Sequence, residues 1–194
     1  MLTTGVSASG RERGAALIEV LVSILIVSFG LLALAGLQTK MNAALLESYQ
    51  RAQGLTLLED MTQRIQANRG QSGSYVTTSL GTGDAQPANC SGLATRQAKD
   101  SCEWSNALKG ASVTAGGANA GAMIGARGCI EQLQAPNPGT GICQPGMYRV
   151  SVAWQGLNGT VVPAVSCGAD QYGADDSFRK VVSSRVVIAL PGCS

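Results

Sequence analysis

Glu19 is the residue whose chemistry most needs explaining. Beyond it, every residue from Val20 to Leu37 is apolar or small except Ser23 and Ser28. A lone carboxylate in hydrocarbon costs roughly 2.5–3.5 kcal/mol on insertion scales, so an acid kept there needs a reason to stay. Just upstream, Gly14 closes a short leader that carries Arg11, Glu12 and Arg13. That arrangement points to a peptidase site, a new N-terminus and a positively charged partner for Glu19.

Six cysteines, Cys90, Cys102, Cys129, Cys143, Cys167 and Cys193, all follow the apolar run. An even count confined to one side of a membrane segment favours disulfides in an oxidising compartment over free buried thiols. Fifteen connectivities are open for six cysteines. Pairing of near neighbours favours Cys90–Cys102, Cys129–Cys143 and Cys167–Cys193. A zinc site lacks its ligands, because the chain has no Cys-x-x-Cys pair and no His. The missing His also removes the commonest general base and proton shuttle, so no enzyme activity and no catalytic residue are expected. Asp170, Asp175 and Asp176, with Gly168 and Gly173, bring oxygen ligands near one another. Their spacing fits no EF-hand loop, and a solvated acidic turn is the preferred reading. No metal and no cofactor are expected.

The elements that position these residues follow from pattern. The basic leader favours a cytoplasmic N-terminus, with the bulk of the chain outside. The segment from Ala15 to Leu37 gives a helix of about 34 Å at ~1.5 Å per residue, enough to cross a bilayer. It is longer than the apolar core of a secretory signal. Met41, Leu45, Ala52, Leu55, Leu58, Met61 and Ile65 then recur at steps of three, four and seven, an amphipathic stripe. No Pro interrupts the chain from Ala15 to Arg69, and Asn68-Arg69-Gly70 is a stop signal. One helix is therefore expected from about Ala15 to Asn68, with Gly30, Gly36 and Gly54 as soft points.

Beyond it, Gly70 to Arg127 is rich in Gly, Ser, Ala and Thr; within it the low-complexity run Gly110–Met123 reads as loop, and a short helix is expected around Cys102–Leu108. Strand patterns are found at Met147–Trp154, Val161–Ser166 and Phe178–Leu190, with a hairpin turn at Gly156-Leu157-Asn158-Gly159. The fold class expected is α+β, a long N-terminal helix packed on a C-terminal antiparallel sheet. Net charge is +2 and only 13% of residues are charged. With no basic block, a nucleic-acid surface is not expected.

Gly14-Ala15-Ala16-Leu17-Ile18-Glu19 resembles the start signal of type IV prepilins and type II secretion pseudopilins. That pattern is Gly, then usually Phe or Met, then Thr, Leu, Ile or Val, and Glu. Gly14, Leu17, Ile18 and Glu19 match it, whereas Ala15 and Ala16 depart from the usual residues. The resemblance implies cleavage between Gly14 and Ala15 by a prepilin peptidase and N-methylation of Ala15. It also implies that Glu19 sets assembly register by pairing with the N-terminal ammonium of a neighbouring subunit. A pilin-like architecture follows: a leader over 1–14, a transmembrane and filament-core helix over 15–37, an amphipathic helix over 38–69 and a periplasmic head over 70–194.

Further along, Leu58-Glu59-Asp60-Met61 with Arg64 and Asn68 is similar to the minor-pilin group called type IV pilus modification protein PilV. Arg127-Gly128-Cys129-Ile130 and the run from Tyr148 to Gly156 share that likeness. It implies a minor pilin acting in pilus assembly or priming, and so in twitching motility and attachment. The partners implied are the prepilin peptidase, other minor and major pilins, and the inner membrane. The localisation implied is a single-pass inner-membrane protein that later enters the pilus. A minor pseudopilin of type II secretion and a pilus-tip adhesin are the alternative expectations.

Overall fold

The computed structural model describes residues 12–111, 113–119, 123–139 and 141–190. The leader up to Arg11, parts of the Gly-rich run and Cys193 lie outside them, as does the side chain of Ala15. The chain divides into two compact units, the first ending at Leu45 and the second beginning at Leu46.

Helix α1 covers Glu12–Ala67, close to the expected bounds. In the first unit its apolar side chains are exposed, Leu17, Ile18, Phe29 and Leu32 among them. This stretch has mean hydropathy 2.7 and is long and apolar enough to cross a membrane. Its hydroxyls, on Ser23, Ser28 and Thr39, are satisfied by the helix itself. Ser23 donates to the Glu19 carbonyl and Ser28 to the Ile24 carbonyl, each at 2.7 Å. A Ser hydroxyl bonded back in this way leaves no unpaired donor for a hydrocarbon environment.

In the second unit α1 buries Leu58, Met61 and Ile65. The expected stripe therefore narrows, since Ala52 and Leu55 are exposed. Gly54 is a packing position rather than a soft point. It is buried, and a Cβ there would lie 2.9 Å from the Trp154 ring. The helix stops where expected, with the Asn68 N–H bonded to the carbonyls of Arg64 and Ile65. A short 3-10 segment follows over Arg69–Tyr75.

The sheet contains strands β1 (Thr77–Gly81), β4 (Ile124–Gln134), β5 (Gly146–Gln155) and β6 (Arg179–Ile188) in the order β1-β4-β5-β6, all neighbours antiparallel. Strands β2 (Thr114–Ala115) and β3 (Ala118–Asn119) form a separate two-stranded pair. Helix α2 runs from Arg96 to Leu108, and the Thr95 side chain caps it by accepting the Ala98 N–H at 3.1 Å. On β5, Tyr148, Val150, Val152 and Trp154 alternate into a core shared with Leu58, Met61 and Ile65 of α1. That period of two made β5 and β6 readable in advance.

Three expectations are corrected. The Gly110–Met123 run is not all loop, because β2 and β3 lie in it. Val161–Ser166 forms no strand; its carbonyls and those beside it serve a buried guanidinium, described below. Gly156–Gly159 is not a hairpin turn, since β5 pairs with β6 through the long 156–178 connection. At its two ends this connection pairs with itself, Gly156 N–H to Phe178 O at 2.8 Å and Thr160 N–H to Ser177 O at 2.7 Å.

Candidate assembly segment and head network

The Gly14–Ala15 bond lies in the first turn of α1. The first four N–H groups of a helix have no intrahelical acceptor. Gly also weakens a helix by about 1 kcal/mol relative to Ala, so this end opens to an extended chain at low cost. Glu19 lies one turn further in, exposed among exposed Leu17, Ile18 and Val20. The first unit thus presents an acid on an apolar surface.

In the second unit, Asp60, Arg64 and Asn68 take part in a polar network. Arg64 reaches Asp60 at 3.0 Å, Asp100 at 3.1 Å and Glu103 at 2.6 Å, joining α1 to α2. Tyr75 donates to Asp100 at 2.5 Å and accepts from the Asn68 amide at 3.0 Å. Burial, then the Asp100 hydrogen bond, pushes the Tyr75 hydroxyl up to about 12. Tyr75 and Asp100 gave no signal of their own in the sequence.

The indole of Trp104 locks the same two helices together. It is fully buried and donates to the Leu57 carbonyl at 2.8 Å. Its ring covers Gly128 on β4, where a Cβ would meet it at 2.2 Å. Gly128 is therefore a close-approach position inside a strand.

Asp84 is a second, half-buried hub, also missed from sequence. It accepts from the N–H of Gly81 at 2.8 Å, the N–H of Gln86 at 3.1 Å and the Ser105 hydroxyl at 2.6 Å, and it pairs with Lys109. Burial alone would raise its carboxyl. The Lys109 ammonium, the Ser105 hydroxyl and the two backbone donors outweigh that and hold it below the usual carboxylate range. A depressed carboxylate stabilises the fold fully above its unfolded value, near 3.9, and that stabilisation drains away as pH falls through the folded value. Asp84→Asn is therefore expected to lower the urea midpoint clearly at neutral pH and much less once the wild-type carboxyl is itself protonated. An equal loss at both pH values would rule out this ionic role.

The structure joins Cys90 to Cys102 and Cys129 to Cys167. Cys143 is also disulfide-bonded. The expected Cys129–Cys143 and Cys167–Cys193 pairs are thus overturned. The reason is spatial. Cys129 faces outward on β4 opposite Ser151 of β5, and the 156–178 connection folds back over that face so that the Cys167 sulfur lies near the Arg127 and Ser151 carbonyls.

That connection is held by Arg179, which is 3% exposed. Its guanidinium donates to Asp176 at 3.0 Å, to the carbonyls of Cys167 and Pro163 at 3.1 Å each, and to the Val165 carbonyl. Asp176 is accordingly no solvated turn. The Asp170 N–H, followed by the charge of Arg179, keeps its carboxyl below the ordinary range despite desolvation. Among the described residues, no group of acids, Cys or His could hold a metal ion. A charged residue at the mouth of an apolar strand was the only sequence signal for Arg179.

No family model matches the chain, no curated protein is similar to it, and no solved structure matches its fold.

Proposed function

We propose that this chain is a minor pilin subunit of a type IV pilus, processed between Gly14 and Ala15 and drawn into the filament through Glu19. One observation carries the reading: a single unbroken helix, α1, bears the Gly14–Glu19 start, an exposed membrane-length apolar stretch and the buried Leu58, Met61 and Ile65. A helix so built belongs to an apolar environment at one end and a folded head at the other. In a bundle of such helices an ionised Glu19 is expensive unless paired, and the ammonium freed by cleavage of a neighbour supplies the pair. The disulfides fit an oxidising compartment on the head side.

Mass spectrometry of sheared pili tests the whole reading at once. A mature N-terminus at Ala15, N-methylated, is the expected result. Glu19→Ala is expected to lower recovery of the subunit in sheared pili by tenfold or more, about 1.4 kcal/mol of lost assembly energy. Undiminished recovery would refute the role of Glu19. Loss of pili in a deletion strain with protein secretion intact separates the pilus from a type II secretion pseudopilus, and the reverse pattern would favour the pseudopilus.

A further inference from the structure

Within the second unit, a cavity of about 350 Å³ opens between α1, the start of β6 and the connection at Thr160 and Pro163. We propose that it binds a small organic carboxylate, of the size of one acidic sugar or one amino acid. The inference does not depend on membership of a filament.

The argument begins with Glu47 and Arg51, one turn apart on α1 and both lining the cavity. A Glu four residues before an Arg is the favoured order for a helical ion pair. The pair does not form here. Glu47 is committed to Asn158, accepting its backbone N–H at 3.0 Å and its side-chain amide at 3.1 Å. Arg51 is left without an acid partner among the described residues. Lys180, on the opposite wall, donates among the described residues only to the Thr160 hydroxyl at 2.8 Å, a neutral acceptor. Arg179 adds no free charge, since Asp176 balances it. The cavity thus sets two cationic groups, neither in an ion pair, against the single Glu47 carboxylate, a net positive charge.

The remaining walls are apolar, formed by Trp154, Pro163 and Val182. A guanidinium fork matches a planar carboxylate, an ammonium adds a second donor, and apolar walls exclude water from the pair. The volume admits one ring or one short side chain and no more.

The two tryptophans make the test direct, because Trp154 lines the cavity while Trp104 is buried elsewhere. The full chain, ¹⁵N-labelled in a nonionic detergent, is titrated with glucuronate, N-acetylalanine, glucose and inorganic phosphate, and the two indole N–H signals are followed. Saturable movement of the Trp154 signal with glucuronate or N-acetylalanine, with Trp104 still, supports the proposal, and the tighter of the two identifies the source as acidic sugar or peptide. Arg51→Gln and Lys180→Gln are each expected to weaken that binding about tenfold, whereas Lys99→Gln, on exposed α2 surface, leaves it unchanged. The unmoved Trp104 signal in each variant certifies the fold. The proposal is overturned if glucose or phosphate binds as tightly as the carboxylates, if the Arg51 and Lys180 variants bind as wild type does, or if nothing saturates below about 50 mM.

Discussion

Cys129→Ala combined with Cys167→Ala is expected to destabilise the head by about 4 kcal/mol, more than any other single cross-link removal among the described disulfides. The bridge spans a sequence separation of 38, against 12 for Cys90–Cys102. In the chain-entropy account a longer closed loop restricts the unfolded chain more, and a loop as short as that of Cys90–Cys102 is worth about 3 kcal/mol. The structure adds a local term. Cys167 lies in the connection that Arg179 organises, so releasing it also loosens the carbonyls of Pro163 and Val165 from their donor. Urea unfolding of the full chain in nonionic detergent, without reductant, measures both pairs. A smaller loss for the Cys129/Cys167 double variant than for Cys90→Ala/Cys102→Ala would reject the ranking. Amide exchange in the same variants locates the effect: faster exchange is expected over 160–178 and unchanged exchange in α2.

That pairing also shows where the sequence stopped being legible. Helix α1 was readable because a Pro-free apolar run joined to a stripe of period three and four has one physical solution. Strands β5 and β6 were readable because Tyr148, Val150, Val152 and Trp154 alternate, and Val181, Val182, Val186 and Val187 crowd one segment. Strand β4 was not. Its middle, Gly125-Ala126-Arg127-Gly128-Cys129, has two glycines and a cation where a strand normally shows β-branched residues, and only the structure reveals that Gly128 is small to admit Trp104. Strand β1, Thr-Thr-Ser-Leu-Gly, is short and polar as an edge strand tends to be, and so resembles the loops around it. The cysteines misled because near neighbours along the chain were taken as near neighbours in space. The sheet order β1-β4-β5-β6 instead folds a distant connection over Cys129.

The candidate assembly residues stand out in the sequence for a different reason. Gly14 and Glu19 are conspicuous against what surrounds them, and no packing is needed to see that. Polar residues inside the head lack that contrast. Asp84, Asp100 and Arg179 look like ordinary surface charges until burial gives them partners drawn from far along the chain. Each position in Leu58–Asn68 and Arg127–Ile130 named next has a physical role in the head: Leu58, Met61 and Ile130 are core, Arg64 binds α2 while pairing with Asp60 on its own helix, Asn68 holds Tyr75, and Gly128 and Cys129 fix β4 to Trp104 and to the long connection.

Gly128→Ala tests the tightest of these contacts. A Cβ at position 128 would meet Cη2 and Cζ3 of Trp104 at 2.2 and 2.3 Å and a Leu108 methyl at 2.8 Å, all inside real van der Waals separations. The ring has nowhere to retreat, being fully buried and pinned by its hydrogen bond to Leu57. Overpacking of this kind costs about 3 kcal/mol, at the high end of the usual range. Gly54→Ala is the informative comparison. Its Cβ would also touch an indole, that of Trp154, but at 2.9 Å and from the middle of a helix. There Ala gains about 1 kcal/mol of helix propensity over Gly, which offsets much of the clash. Chemical unfolding should therefore separate the two variants by roughly 2 kcal/mol or more. The decisive measurement is the cycle with Trp104→Phe, which deletes the ring atoms that Gly128→Ala strikes. If the two substitutions together destabilise less than the sum of each alone, Gly128 is small because Trp104 covers it. Strict additivity would mean that the glycine serves the backbone of β4 and that Trp104 packs there by coincidence.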